Sequence, residues 1–387
     1  MRKYEQIHSW INFTLDLRRL NPRLWMVLGE VQSKCEHIAG VPLRRETADV
    51  LYRLYLAKGV LGTTAIEGNT LSEEEVLNRI QGKLKLPPSK EYLGQEIDNI
   101  VEVCNQITER VLKDRAVTLT VEDIKNFNRT VLKNLSLDEG VVPGEIRMHS
   151  VGVARYRAVP AEDCEFLLEK LCAWLNDFPI PEHYAHYPIA FGLIKAILAH
   201  IYLAWIHPFG DGNGRTARLI EFTLLLGVGV PSAAAHLLSN HYNQTRQEYY
   251  RQLDQASRSG GDLLPFMEYA VQGFVDGLKE QLKHIRDQQW DVTWQNYVHE
   301  QFKDKNSAAD VRRRHLVLDL SRTKDPVPLP KIRQISPRIA ESYANKTAKT
   351  ITRDINILTS MGLVKWTLEG LRAKREIVLA FLPGRVE

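Results

Sequence analysis

The sequence predicts a mainly α-helical protein with one small β-hairpin, followed by a second domain in which helices alternate with short strands. Three observations carry this. Apolar residues recur at helical spacing through nearly all of the chain up to about residue 285. Between Pro143 and Pro160 the period switches to two, in Val151, Val153, Arg155, Arg157 and Val159. Beyond residue 310 the helical stretches are short and are followed by strand-like runs.

The elements follow in order. Residues 1–44 read as an N-terminal helical extension, with no apolar core segment and no small-residue cleavage site of an export signal, so a cytoplasmic chain is expected. Glu46 to Gly62 carries a helical apolar stripe, and Ser72 with Glu75 three residues on is the signature of a capped helix start. Tyr92 to Leu112 is amphipathic, and Thr120-Val121-Glu122-Asp123 opens another helix in the same way. The period-two stretch is read as a hairpin that must pack on the helical body, because an isolated hairpin is marginal in water. Helices resume at Ala161 to Asp177. The apolar run from Tyr187 to Ile206 contains Lys195 and His200 and leads into a polar glycine-rich loop, so it is read as a buried helix, with no membrane partner. A helix from Gly214 to Leu226, closed by Gly227 to Pro231, and helices over Ser239 to Ala256 and Leu263 to His284 complete a domain spanning 45–285. Residues 286–310, rich in Gln, Asp and Lys, are taken as a linker, either a linker helix or a plain connection. In 311–387, helices over Ala340 to Ala348 and Lys349 to Leu358, a stop at Gly362, and strands at Val364-Lys365-Trp366 and Glu376 to Phe381 resemble a winged helix domain.

Composition bounds the partners. Lys+Arg 51 against Asp+Glu 47 in 387 residues leaves a net charge of +4, too small a surplus to argue for nucleic acid by itself. The four cysteines show neither C-x-x-C spacing nor a histidine partner at zinc-finger spacing, and read as buried thiols in a reducing compartment.

The chemistry concentrates in His207-Pro208-Phe209-Gly210-Asp211-Gly212-Asn213-Gly214-Arg215, with Arg218 one turn on. Proline ends the preceding helix, Phe209 plugs the loop into the core, and the glycines permit a sharp turn and close approach to a ligand. A glycine-rich turn opening onto a helix N-terminus presents free N–H groups and the positive end of the helix dipole. Two arginines there oppose the dipole and make sense with an anion present. Asp211 is a hard oxygen ligand suited to Mg2+ beside phosphates, with Mn2+ as an alternative. His207 is the group suited to take a proton near neutral pH.

This string matches the signature H-P-F-x-[D/E]-G-N-G-R-x-x-R of the Fic family without departure, and the chain resembles that family over roughly residues 45–280. The resemblance implies a Fic-type helical bundle with a hairpin flap and a protein adenylyltransferase that uses ATP as substrate. His207 would deprotonate a target hydroxyl, Asp211 would bind the metal, and Gly212, Asn213 and Gly214 would form the anion hole. Asn213 would hold the α-phosphate, Arg215 the β-phosphate and Arg218 the γ-phosphate. Thr63 to Gly68 resembles the family's inhibitory motif, on a helix around 55–68, with Glu67 pairing with Arg218. The hairpin, through Val151, Gly152 and Val153, stands where the family has its target-docking flap. Tyr249 and Tyr250 fall on the helix that closes over the adenine.

Other readings stay open at this level: transfer of another nucleotide or phosphate-containing group, removal of AMP with Glu67 orienting a water, or a DNA-binding regulator. For the last, Lys331, Arg333, Arg338, Lys346, Lys349 and Arg353 would face phosphates. The partners expected are thus ATP, a hydroxyl on a target protein, and DNA or a protein at the winged helix, with a homodimer among the candidate assemblies.

Overall fold

The computed structural model describes residues 2–43, 45–114, 117–153 and 156–379. It is mainly helical and divides into two compact units, Met1–Leu282 and Lys283–Glu387.

The first unit is built round one apolar helix. The N-terminal segment holds α1 (Lys3–Ile7) and α2 (Pro22–Gly40). Next come α3 (Arg45–Ala65), α4 (Glu73–Ile80), α5 (Glu91–Asp114) and α6 (Val121–Val131). The hairpin of β1 (Gly152–Val153) and β2 (Tyr156–Arg157) precedes α7 (Ala161–Asn176), α8 (Pro188–Ile206) and α9 (Asn213–Gly227). The short α10 (Ser232–Ala235), α11 (Leu237–Gln244) and α12 (Arg246–Arg258) lead into α13 (Leu264–Gln301), whose first half closes the unit. The helix α8 has a mean hydropathy of 1.9, high enough to cross a membrane by composition, yet 89% of that window is buried inside the protein. It packs against α2, α7 and α9, which explains why its apolar residues run all round it.

Local signals place the neighbours. The Ser72 hydroxyl accepts from the Glu75 N–H at 3.2 Å while the Glu75 carboxylate accepts from the Ser72 N–H at 2.8 Å, the reciprocal cap that starts α4. Thr120 and Asp123 repeat it at α6, with bonds of 3.1 and 2.9 Å. Residues 1–44 are more than an extension: Leu24, Leu28, Val31 and Cys35 enter the main core. Arg2 also pairs with the buried Asp163 of α7 at 3.2 Å.

The hairpin pairs Gly152 with Arg157 and Val153 with Tyr156. Its tip, Ala154 and Arg155, lies outside the described residues.

The second unit comprises the second half of α13, α14 (Ala308–Leu320), α15 (Pro337–Tyr343), α16 (Ala348–Ser360), β3 (Val364–Trp366) and β4 (Leu371–Ala373). Two sequence expectations fail here. Residues 286–301 are helical, as the linker-helix reading allows, but they are not a linker: they continue α13, and Trp294, Val298 and Phe302 fall four residues apart and enter this unit's core. The partner of β3 is Leu371–Ala373, not 376–381. Gly370 turns the chain at φ +151°, and the register aligns Val364 with Ala373 and Trp366 with Leu371. Arg375–Val378 is a 3-10 turn, and Ala380 and Phe381 lie outside the described residues. A buried knot ties α14 to α16: Asp354 accepts from Arg312 at 2.9 Å, Arg313 at 2.8 Å and the Tyr343 hydroxyl at 3.1 Å.

Candidate active site

The site begins where α8 ends. His207 caps that helix in the left-handed conformation, φ 49° and ψ 59°, which is strained for a residue with a side chain. The backbone is held there by Arg147, a residue that sequence reasoning passed over. Its buried guanidinium donates to the carbonyls of His207 at 2.8 Å, His149 at 2.5 Å and Val159 at 2.6 Å. Its own N–H donates to the Pro208 carbonyl at 3.0 Å. A cation on the last carbonyls of a helix also complements the dipole. Burial pushes the His207 imidazole down to about 4, and the Arg147 charge acts in the same direction, so His207 is neutral and ready to accept a proton.

The loop that follows is cross-braced. Asn213 accepts from the Phe209 N–H at 3.0 Å and donates to the Phe209 carbonyl at 2.9 Å, with Phe209 sunk in the core. The side-chain amide of Asn213 is therefore occupied by the loop, and its backbone N–H is the group left to meet a phosphate. Asn128, fully buried on α6, donates to the Asp211 carbonyl at 2.8 Å and accepts from the Gly144 N–H at 2.9 Å. Gly212 takes φ +76°, and a Cβ there would stand 2.8 Å from the Asn128 amide.

Helix α9 starts without a side-chain cap and with no acidic residue in its first turn, so its first N–H groups face a ligand position uncovered. Arg215 is buried and donates to Asp211 at 3.0 Å and to Glu96 at 3.4 Å. Burial raises the Glu96 carboxyl above its usual range, against the Asn69 amide and Arg215. Arg218 is buried deeper. It donates to the Thr63 carbonyl at 2.9 Å and to Glu67 at 2.5 Å, while its Nε and Nη1, like Nε of Arg215, have no hydrogen-bond partner among the described residues. Buried unpaired guanidinium N–H groups are costly, and three of them on the first two turns of one helix suit an anion site.

Glu67 follows α3 in a tight turn, with its N–H on the Thr64 carbonyl at 3.0 Å and Gly68 at φ +109°. Burial alone would raise its carboxyl, but the charge and hydrogen bond of Arg218, with Arg215 behind them, outweigh burial and hold it below the usual range. Gly214 makes room for it, since a Cβ at that position would lie 2.2 Å from the Glu67 carboxylate. Thr63 thus serves the pair through its backbone carbonyl.

Of these residues, Glu67, His207, Asn213 and Gly214 line a cavity of about 470 Å3, within the range of small-molecule sites, and the arginines lie outside its lining. Its polar end carries Glu67, His207, Asn213 and Gly214; its other end is formed by Ala204, Trp205, Ala217 and Leu253. Tyr156 of β2 borders it and donates to the Trp205 carbonyl at 2.9 Å, which fastens the hairpin to α8. Both tyrosines expected at the base line the cavity; Tyr249 is buried, with one face stacked on Tyr242 at 4.8 Å and its hydroxyl on buried His200 at 2.8 Å. Tyr250 is the half-open one, with its hydroxyl on the Ile66 carbonyl at 3.3 Å. Among the described residues no cluster of three or more His, Cys, Asp or Glu side chains stands ready for a metal, so Asp211 offers a single carboxylate.

Comparison with known proteins agrees with this geometry. Residues 118–225 match the family model described as Fic/DOC family. The chain is 31% identical over 260 residues to protein adenylyltransferase Fic of Drosophila virilis, covering 66% of this chain and 47% of that protein. It is 28% identical over 263 residues to protein adenylyltransferase fic-1 of Caenorhabditis elegans, covering 66% and 47%. The chain thus spans about half the length of the curated relatives it matches. Among solved structures, a Fic family protein from Desulfovibrio desulfuricans G20 shares the fold with a TM-score of 0.57 at 21% identity, over 89% of this chain and 91% of that one. Fic-1 (residues 134–508) of C. elegans aligns with a TM-score of 0.52 at 26% identity, over 68% of this chain and 73% of that one. By its uncapped α9, the unbroken motif from His207 to Arg218 and the matching family model, residues 118–225 form a domain of the Fic/DOC family.

Proposed function

We propose that this protein transfers AMP from ATP to a hydroxyl of a target protein and that Glu67 holds the site closed. The observation that carries the reading is the uncapped N-terminus of α9, ringed by His207, Arg215 and Arg218, with unpartnered guanidinium N–H groups beside it. The triphosphate lies along that terminus and the base lies between Ala217, Leu253 and Tyr250. The incoming hydroxyl oxygen bonds to the α-phosphorus, the bond to the bridging oxygen breaks, and pyrophosphate leaves. His207, neutral at physiological pH, accepts the hydroxyl proton. Positioning and charge stabilisation supply most of the acceleration, as in other phosphoryl transfers.

Asp211, half exposed and paired with Arg215, would hold Mg2+ together with phosphate oxygens, and one carboxylate suffices for a metal bound chiefly by its nucleotide. The metal would neutralise phosphate charge. For this Asp211 has to give up part of its contact with Arg215, whose N–H groups then reach the β-phosphate. Glu67 stands where Arg218 would meet the γ-phosphate, which supports autoinhibition within the chain. The hairpin, fastened to α8 at the cavity edge, suits docking of an extended target segment by strand addition. The order of helices and the β3–β4 hairpin in the second unit support a winged helix. The four buried free thiols support a cytoplasmic setting.

The test is incubation with an acceptor protein and ATP labelled at the α- or the γ-phosphate. Label from the α position on an acceptor hydroxyl is expected. Label from the γ position alone would replace AMP transfer by phosphorylation.

A further inference from the structure

The second unit carries a cationic pocket unrelated to the catalytic loop. It lies between the second half of α13, α14 and the start of α15, and its lining includes His299, Arg314, His315, Arg322 and Arg338 beside Gln295 and Leu318. Its volume is about 210 Å3, roughly seven waters at about 30 Å3 each. That admits one small group with its hydration and is below the usual size of a nucleotide-sized pocket.

Three guanidinium groups and two imidazoles face this space, and Asp319 is the carboxylate that answers them. Asp319 is buried. It accepts from Arg338 through Nε at 3.1 Å, takes the Ser336 hydroxyl at 2.6 Å and stands 3.9 Å from Arg322. Its oxygens are thus committed, and Arg314 is left over. No hydrogen bond or ion pair of Arg314 occurs among the described residues, and its Nε is buried without a partner. The side chains of Arg322 and Arg338 are 71% and 41% exposed, so what sets this cluster apart from a solvated face is the buried Nε of Arg314 with nothing to donate to. The crowding registers on His315, whose imidazole lies below its usual range, first through burial and then through the charges of Arg338 and Arg314. Guanidinium forks converging from different helices suit a tetrahedral oxyanion with several acceptor oxygens.

We infer that this pocket binds a phosphate group, held chiefly by Arg314 with Arg322 and Arg338. The group comes either from a free phosphate or from the backbone of a duplex. Free phosphate is favoured by the pocket's small volume of about 210 Å3.

The test uses the full chain and follows the His299 and His315 ring resonances by NMR, which separates this pocket from phosphate taken up at α9. Potassium phosphate is titrated against potassium chloride at equal ionic strength, and short duplex DNA is titrated in parallel. Saturable shifts of both histidines with phosphate are expected, weakened tenfold or more in Arg314→Gln and largely kept in Arg314→Lys. Saturation with duplex alone, equally sensitive to Arg314→Gln, would assign the pocket to a backbone phosphate. Chloride reproducing the shifts, no shift with either probe, or an Arg314→Gln protein that binds like the wild type would overturn the proposal. Arg314 has no partner to lose, so Arg314→Gln is expected to fold, and unchanged thermal unfolding checks that.

Discussion

Replacing Glu67 by Gln keeps the side-chain shape and removes the charge opposite Arg218. In the wild type the Arg218 guanidinium is fully buried, 2.5 Å from the Glu67 carboxylate, and its remaining acceptor is the Thr63 carbonyl at 2.9 Å. One-sided loss of a buried pair costs about 3–5 kcal/mol. Because the Glu67 side chain is 32% exposed, solvent screening lowers this to about 2–3 kcal/mol. At roughly 2–4 °C per kcal/mol for a domain of this size, the unfolding midpoint of the first unit should fall by roughly 4–12 °C. Magnesium ATP should restore most of the loss, since its phosphates become the new partner of Arg218. Saturating nucleotide at about 100 times its Kd contributes about 2.7 kcal/mol. The nucleotide-induced rise should therefore be several degrees larger in Glu67→Gln than in wild type, as read by scanning calorimetry. The pH dependence has a definite sign. The folded-state carboxyl is held below its ordinary value of 4.5, so its contribution is complete above pH 4.5 and disappears as pH falls through the depressed value. Equal midpoints and equal nucleotide responses in the two proteins at pH 7 would refute the latch.

Three further perturbations follow from the geometry. Arg147→Met removes the donor that holds the carbonyls of His207 and Val159; a fall in kcat of about 100-fold or more with little change in the KM for ATP is expected in a Glu67→Gly background, since small misplacements of a catalytic group have this cost. A proportional loss in KM would show that Arg147 merely supports folding of the nucleotide pocket. Asn128→Leu uncouples the Asp211 carbonyl and the Gly144 N–H at once, leaving both buried groups unpaired; urea unfolding should register a loss of about 2–4 kcal/mol. His236, stacked on Phe222 at 4.3 Å, has its imidazole pushed down to about 4 by burial. Its folded value is depressed below the unfolded 6.5, so stability is full above pH 6.5 and falls towards pH 4 at up to about 1.4 kcal/mol per pH unit, a slope that His236→Phe should remove in urea titrations at pH 7 and 5.

The parts of the site legible in the sequence are those whose chemistry is local. His207 to Arg218 spans one turn and one helix start, so glycine positions, the helix stop and the arginine spacing all report on the same few ångströms of chain. The Ser72–Glu75 and Thr120–Asp123 caps were legible for the same reason. Arg147, Asn128 and Glu96 were not, because each reaches the loop across a long stretch of sequence and looks alone like an ordinary polar residue. The signal available for Arg147 was its place just after Gly144, where a turn at φ +77° hands the chain back to the core. In the second unit, polar composition concealed the apolar stripe of Trp294, Val298 and Phe302 within a helix that continues through it. The strand-like residues Ile377 and Val378 lost to Leu371–Ala373 because a tight turn at Gly370 sets the register of the ladder before they are reached.

The central claim is that a neutral His207 beside the uncapped end of α9 drives AMP transfer once Glu67 releases Arg218. The most direct measurement is protein labelling from α-labelled ATP by the wild type, Glu67→Gly and Glu67→Gly/His207→Ala. Weak labelling is expected in the first, strong labelling in the second and none in the third. Labelling in the double variant equal to that of Glu67→Gly would contradict the claim.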